Sequence, residues 1–231
     1  KTLNMSMLRY FFEKTEEDNS YLFDGLKISN AGEKYMSYCG QYPVISISLK
    51  GMSKKTFQKN MDVFRSLIAD EFERHRDILK SDKITERKRK KFEKICNEEA
   101  ADAVYESSLK LLTDCLYDMH QKKIIILIDE YDVPLQNAWL NGFYDEMVDF
   151  IRSLFDTALK TNDSLEFGVL TGCLRISKES IFTGMNNLKV YSISDVAFSD
   201  YFGFTDEEVQ QMMKIYNLEQ HHDTDRKSTR L

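Results

Sequence analysis

Residues 124–128 read Ile-Ile-Ile-Leu-Ile and run directly into Asp129 and Glu130. Five apolar residues are too few for a helix, are mostly β-branched, and carry no polar alternation, so they predict a strand buried on both faces of a parallel sheet. Open α/β sheets bind ligands beyond the carboxyl ends of their strands. The two carboxylates stand at that end.

An aliphatic strand closed by Asp-Glu is the Walker B pattern. Its chemistry is magnesium-assisted nucleotide hydrolysis: the first acid holds a metal-bound water and the second orients or deprotonates the attacking water. Polar residues at a strand end also simply solvate a loop, so a second motif is needed. Lys1-Thr2 offers one. As the tail of a phosphate loop, GxxxxGK[ST], Lys1 would reach the β- and γ-phosphates and Thr2 would bind magnesium, with a helix amino terminus facing the anion; otherwise the pair is a solvated terminus. Thr171, at the tip of a third strand, is either a sensor group for the γ-phosphate or part of an ordinary turn. Arg175 either stabilises phosphate charge, in its own subunit or a neighbour, or makes a surface ion pair. Asp132 either helps place metal waters or satisfies loop amides. His120 ends a helix, where a cation suits the dipole, and is given no catalytic role.

With 231 residues, 42% of them hydrophobic, the chain can bury one sizeable core, and one main domain is expected. A net charge of -6 argues against a surface built mainly for nucleic acid or anionic membrane. One basic run departs from this balance: Lys83, Arg87, Lys88, Arg89, Lys90, Lys91 and Lys94, with Phe92 the sole aromatic among them. It reads as a solvated helix face or mobile connection, or as a set of phosphate contacts. Cys39, Cys96, Cys115 and Cys173 form no CxxC pair, which predicts neither zinc nor disulfides but reduced thiols in a cytoplasm. No apolar run approaches the roughly 20 residues of a membrane span. The chain does not open with Met or a signal peptide, so a fragment or processed chain is expected.

Helical spacing predicts helices over residues 1–14 (Leu3, Met7, Leu8, Phe11 and Phe12 inward), 53–80 (N-capped by Ser53), 104–120, 141–161 and 206–216, the last with a capping box from Thr205 to Glu208; a further short helix is expected near 32–39. Strands are predicted at 42–49, 166–171 and 190–193. The tail from His221 onward loses the apolar period. Its DRKSTRL string looks like translated adapter sequence.

Together, KTLNMSMLRYFFE, YPVISISLKG, IIILIDEYDVPLQNA, GVLTGCLRISKESIFTGMNNL and FGFTDEEV resemble the AAA-ATPase-like family of predicted bacterial P-loop ATPases. The resemblance implies an α/β P-loop NTPase fold of the ASCE type, a three-layer sandwich around a mostly parallel sheet. Residues 1–203 would form the ATPase core, 204–220 would begin a small helical subdomain, and 221–231 would be a non-native or disordered tail. It further implies ATP and Mg2+ as ligands, Lys1 and Thr2 as the last residues of the phosphate loop, Asp129 as the magnesium-organising acid and Glu130 as the catalytic base. Thr171 and Arg175 match a family motif of less defined role. The first strand and the glycine loop would precede Lys1, and a restriction-endonuclease-like domain often follows in the family. A homo-oligomer is an expectation by analogy with relatives. Two other functions compete: a nucleotide-dependent interaction module without turnover, and a metal-dependent nuclease using Asp129, Glu130 and Asp132.

Overall fold

The computed structural model describes residues 1–160, 162–173, 181–182, 188–192, 195, 197–198 and 203–221. They belong to two compact units, residues 1–185 and residues 186–231. The first unit is built on a three-stranded parallel sheet in the order β1 (Val44–Ser48), β2 (Ile124–Asp129), β3 (Leu165–Leu170). All six residues of β2 are buried, as an unalternating apolar strand between two neighbours requires. The parallel register sets Ser48 beside Asp129 and Leu170 beside Ile128, so all three strands end at one edge.

Helices cover both faces of the sheet. On one face, α1 (Thr2–Phe12) lays Met5, Leu8 and Phe12 over Tyr42, Val44, Ile125 and Leu127. The predicted stripe is therefore corrected. Leu8, Phe11 and Phe12 turn inward as expected, but Leu3 and Met7 are 77% and 48% exposed, and Met5 joins Leu8 and Phe12 at i, i+3, i+7 spacing in their place. Two short helices follow, α2 (Lys27–Asn30) and α3 (Glu33–Met36).

Beyond β1, α4 (Phe57–Arg74) is capped by Thr56, whose hydroxyl accepts from the Lys59 amide, and not by Ser53. The side chain of buried Asn60 bonds the Lys54 amide (3.0 Å) and the carbonyls of Lys54 (2.9 Å) and Thr56 (2.8 Å). Those bonds hold the preceding residues as a loop and delay the helix start. Met61, Phe64, Ile68 and Phe72 form its buried stripe, as their spacing predicts. All of the basic run but Lys83 lies on α5 (Glu86–Cys96), anchored by fully buried Phe92 and Ile95.

The helix predicted over 104–120 is two, α6 (Asp102–Glu106) and α7 (Ser108–His120). The break comes where Ser107 and Ser108 turn their hydroxyls onto the carbonyls of Val104 and Tyr105, competing with the helical backbone. After β2 the chain forms a helix not foreseen from spacing, α8 (Val133–Asn141), with Pro134 in its first turn, where a missing amide costs nothing. Gly142 ends it at φ +82°, a left-handed conformation that favours glycine, and α9 (Tyr144–Phe155) restarts with a wide buried face before a π-helical turn over Asp156–Lys160.

In the second unit, α10 (Asp206–Ile215) carries the predicted capping box: the Thr205 hydroxyl accepts from the Glu208 amide at 3.3 Å, and the Thr205 amide donates to Glu208 at 2.9 Å. The strand predicted at 190–193 is not present over 190–192, where the Ser192 amide and hydroxyl bond the Asp195 carboxylate in a local turn. Ile193, Arg175, the loop residues Gly184, Asn186 and Asn187, and the tail 222–231 lie outside the described residues.

Candidate functional site

The site lies at the carboxyl edge of the sheet. Asp129, 5% exposed, closes β2 and accepts two hydroxyl hydrogen bonds: Thr2 Oγ1 donates to Oδ2 at 2.8 Å, and Thr171 Oγ1 donates to Oδ1. The first partner is 127 residues away and comes from the start of α1. The second arrives because β3 neighbours β2, with the Thr171 amide donating to the Ile128 carbonyl at 2.9 Å. Thr171 therefore stands beside the carboxylate, as adjacency of these strands requires.

Glu130 follows with φ +56°, a left-handed conformation that costs a residue with a side chain about 1 kcal/mol or more. Two backbone bonds hold the turn: the Tyr131 amide donates to the Thr171 carbonyl at 3.0 Å, and the Val133 amide to the Glu130 carbonyl at 3.2 Å. The Lys1 ammonium sits 3.6 Å from Glu130 Oε1 and donates to Cys173 Sγ at 2.7 Å. The Cys173 thiol and the Glu130 carboxylate beside it raise the Lys1 pKa against the opposing effect of burial, so its charge is retained through neutral pH. Lys1 is also the N-cap residue of α1 and accepts the Met5 amide at its carbonyl, placing the positive end of that helix at the same edge.

Asp132 is fully buried, and its Oδ2 accepts from the Cys173 amide at 2.9 Å and from the Gln136 side chain. Of the two roles left open for it, the geometry selects the satisfaction of loop amides. Asp132 ties the 171–173 turn to the start of α8. Gly172 is wedged into this junction, where an added Cβ would stand 2.7 Å from Asp132 Oδ1 and 2.9 Å from Tyr131 Cε1. Gly172→Ala is accordingly expected to lower stability by about 1–3 kcal/mol through overpacking. Thermal melting checks it, and an unchanged Tm would show that the wedge has slack.

The structure thus gathers Lys1, Thr2, Asp129, Glu130 and Thr171 from three separate stretches of chain. Arg175 lies outside the described residues. Sequence reasoning missed Cys173, which it noted only as one of four scattered cysteines; its signal is its place two residues beyond Thr171, in the turn after β3. For a magnesium ion, Thr2 and Asp129 offer a hydroxyl and a carboxylate, the hard oxygen donors this ion takes, and it commonly uses one or two protein ligands with the rest water. These residues fit the group. Among the described residues Asp129, Glu130 and Asp132 do not gather into a metal-ligand cluster.

Fold and site together define an α/β chain with a lysine, two threonines and an Asp-Glu pair converging at the carboxyl ends of parallel strands. The chain belongs to the AAA-ATPase-like family, described as predicted AAA-ATPases, whose model matches residues 1–182. Membership supports nucleotide binding. Among curated proteins it is similar to an "Uncharacterized protein in vnfD 5'region" of Azotobacter chroococcum mcd 1, at 33% identity over 89 residues. That match covers 38% of this chain and 17% of the relative's length. No solved structure matches the chain significantly. Among the described residues no helix is long and apolar enough to cross a membrane.

Proposed function

We propose that the chain binds Mg-ATP at this edge and hydrolyses it, within a P-loop sandwich of the ASCE type whose turnover drives a conformational change in an attached domain or partner. The observation that carries the reading is the Thr2–Asp129 hydrogen bond beside the Lys1–Glu130 ion pair. It brings together two stretches of chain 127 residues apart that this reading makes the two halves of a nucleotide site. In this reading residues 204–220 open a small helical subdomain.

Thr2 and Asp129 would hold magnesium, which when bound neutralises charge on the β- and γ-phosphates. Thr171 fixes one Asp129 oxygen and so orients the other. Glu130 aligns a water for in-line attack and takes its proton, as the bond from the γ-phosphorus to the bridging oxygen breaks to give ADP and phosphate. Lys1 stabilises the phosphate charge. Before nucleotide arrives, Lys1 and Glu130 occupy one another. The incoming phosphate takes over Lys1 and frees the carboxylate for water.

The test is ATP binding and phosphate release with and without magnesium, in the protein with a glycine loop ahead of Lys1, beside Asp129→Asn. Wild type should bind and release phosphate only with magnesium, and Asp129→Asn should lose that dependence with the activity. Absence of ATP binding in the wild-type protein would refute the reading.

A further inference from the structure

The seven cations between residues 83 and 94 divide into two groups. Four are engaged: Lys83 bonds the Met119 carbonyl, Lys88 pairs with Asp118 at 2.5 Å, Arg89 bonds the carbonyls of Leu79 and Ser81, and Lys90 pairs with Glu86 at 3.6 Å. Among the described residues, Arg87, Lys91 and Lys94 make no ion pair and no hydrogen bond through their side chains. Their spacing is i, i+4, i+7. At 3.6 residues per turn these three and Lys90 fall within an arc of about 100°. The centre of that arc lies about 120° around the helix from Phe92 and Ile95, the fully buried residues that fix the orientation of α5, and Lys91, about 40° from Ile95, borders the core. Arg87, Lys90 and Lys94 are exposed and Lys91 is half-buried, while Glu86 and Glu93 lie on one flank.

We infer that this ridge of α5 is a binding surface for the phosphate backbone of duplex nucleic acid, engaged without sequence specificity. Three observations favour that partner. The ridge is about 10 Å long at 1.5 Å per residue, which spans about three phosphates of one strand at 3.4 Å each. Lysine, three of its four cations, is depleted at protein–protein interfaces, and the ridge offers no apolar centre of the kind such interfaces bury. A membrane-surface helix inserts an exposed apolar face, whereas the apolar residues of α5 are committed to the core. No aromatic side chain on the ridge is available to stack on unpaired bases, because Phe92 is buried, so the contact is with backbone rather than with bases. The net charge of -6 keeps the contact local and weak, in the range of non-specific binding.

The test uses the intact protein without nucleotide, so it stands apart from the ATPase reading. Fluorescence anisotropy of a labelled duplex of about 20 bp is followed between about 50 and 200 mM KCl; three phosphate contacts give a log–log salt slope near -2.7 and an affinity loss of about 40-fold. The triple variant Arg87→Gln, Lys91→Gln, Lys94→Gln should abolish the binding and its salt slope with an unchanged Tm. A control that removes three exposed cations elsewhere, Lys27→Gln, Lys34→Gln and Lys59→Gln, should bind like wild type. No duplex binding at about 50 mM salt, equal loss in both triple variants, or capture of polyglutamate or phosphatidylserine vesicles in place of duplex would each overturn the proposal.

Discussion

Glu130→Gln is expected to lower magnesium-dependent phosphate release by 10²–10⁴-fold, the usual range for removing a positioned general base, while ATP binding survives. Glutamine keeps the shape of the side chain and an oxygen to hold water, but it cannot take the proton. It also dissolves the Lys1–Glu130 pair, 3.6 Å in the resting site, leaving Lys1 freer to receive phosphate. Affinity for ATP should therefore hold or improve as turnover falls. Glu130→Gly separates chemistry from strain. It removes the same base but places glycine at φ +56°, so it should abolish release and still gain about 1 kcal/mol of stability. Undiminished phosphate release in Glu130→Gln would remove Glu130 from the mechanism.

Arg74→Met should destabilise the fold by about 3–5 kcal/mol at neutral pH, the cost of stranding buried charge. The guanidinium of Arg74 lies between Glu13 and Glu71, which are 7% and 6% exposed, and also bonds the Val44 carbonyl at 2.6 Å. This cluster clamps the end of α1 and the end of α4 to the start of β1, where the Ser46 amide adds a 2.8 Å bond to Glu71. Methionine conserves the apolar stem but removes the cation shared by both carboxylates, leaving Glu13 with Arg9 and Glu71 with the Ser46 amide and His75.

The same cluster sets a dependence on acid. Burial opposes the charge on Glu71, but His75 and Arg74 outweigh it and hold its pKa below the usual carboxylate range. A carboxylate depressed on folding contributes stability above its unfolded pKa, about 4.3, and that contribution is lost as pH falls through the folded value. Without Arg74 the folded pKa of Glu71 rises and its contribution at neutral pH shrinks or reverses. The gap in Tm between wild type and Arg74→Met should therefore be widest near neutral pH and narrow on acidification. Equal melting at pH 7, or a gap that does not narrow, would show that the cluster is too well hydrated to matter.

The sequence by itself determined the elements whose signal is local or strictly periodic. The buried strand at 124–128 was legible because an unalternating β-branched run has no other comfortable environment, and the Thr205–Glu208 cap because both bonds close within four residues. Helix boundaries were less legible. Competing side-chain bonds to nearby backbone decided them: Asn60 bonds residues four to six positions back and delays α4, and serine hydroxyls bonding carbonyls three residues back split the helix before β2. The unforeseen α8 depends on Gly142 as its left-handed end more than on a long apolar period.

For the site, residue types were readable and their union was not. Nothing local links Thr2 to Asp129, since only the path of α1 along one face of the sheet brings that hydroxyl to 2.8 Å. The strand order decided that Thr171 meets Asp129, Asp132 and the Tyr131 ring together decided that Gly172 must stay small, and the Asp132 carboxylate holds the Cys173 amide in the turn from which its thiol meets Lys1. Sequence specifies such groups through their chemistry, but hydrogen bonds between residues 41 to 172 apart exist only once the chain has closed the distance, and only tertiary packing does that.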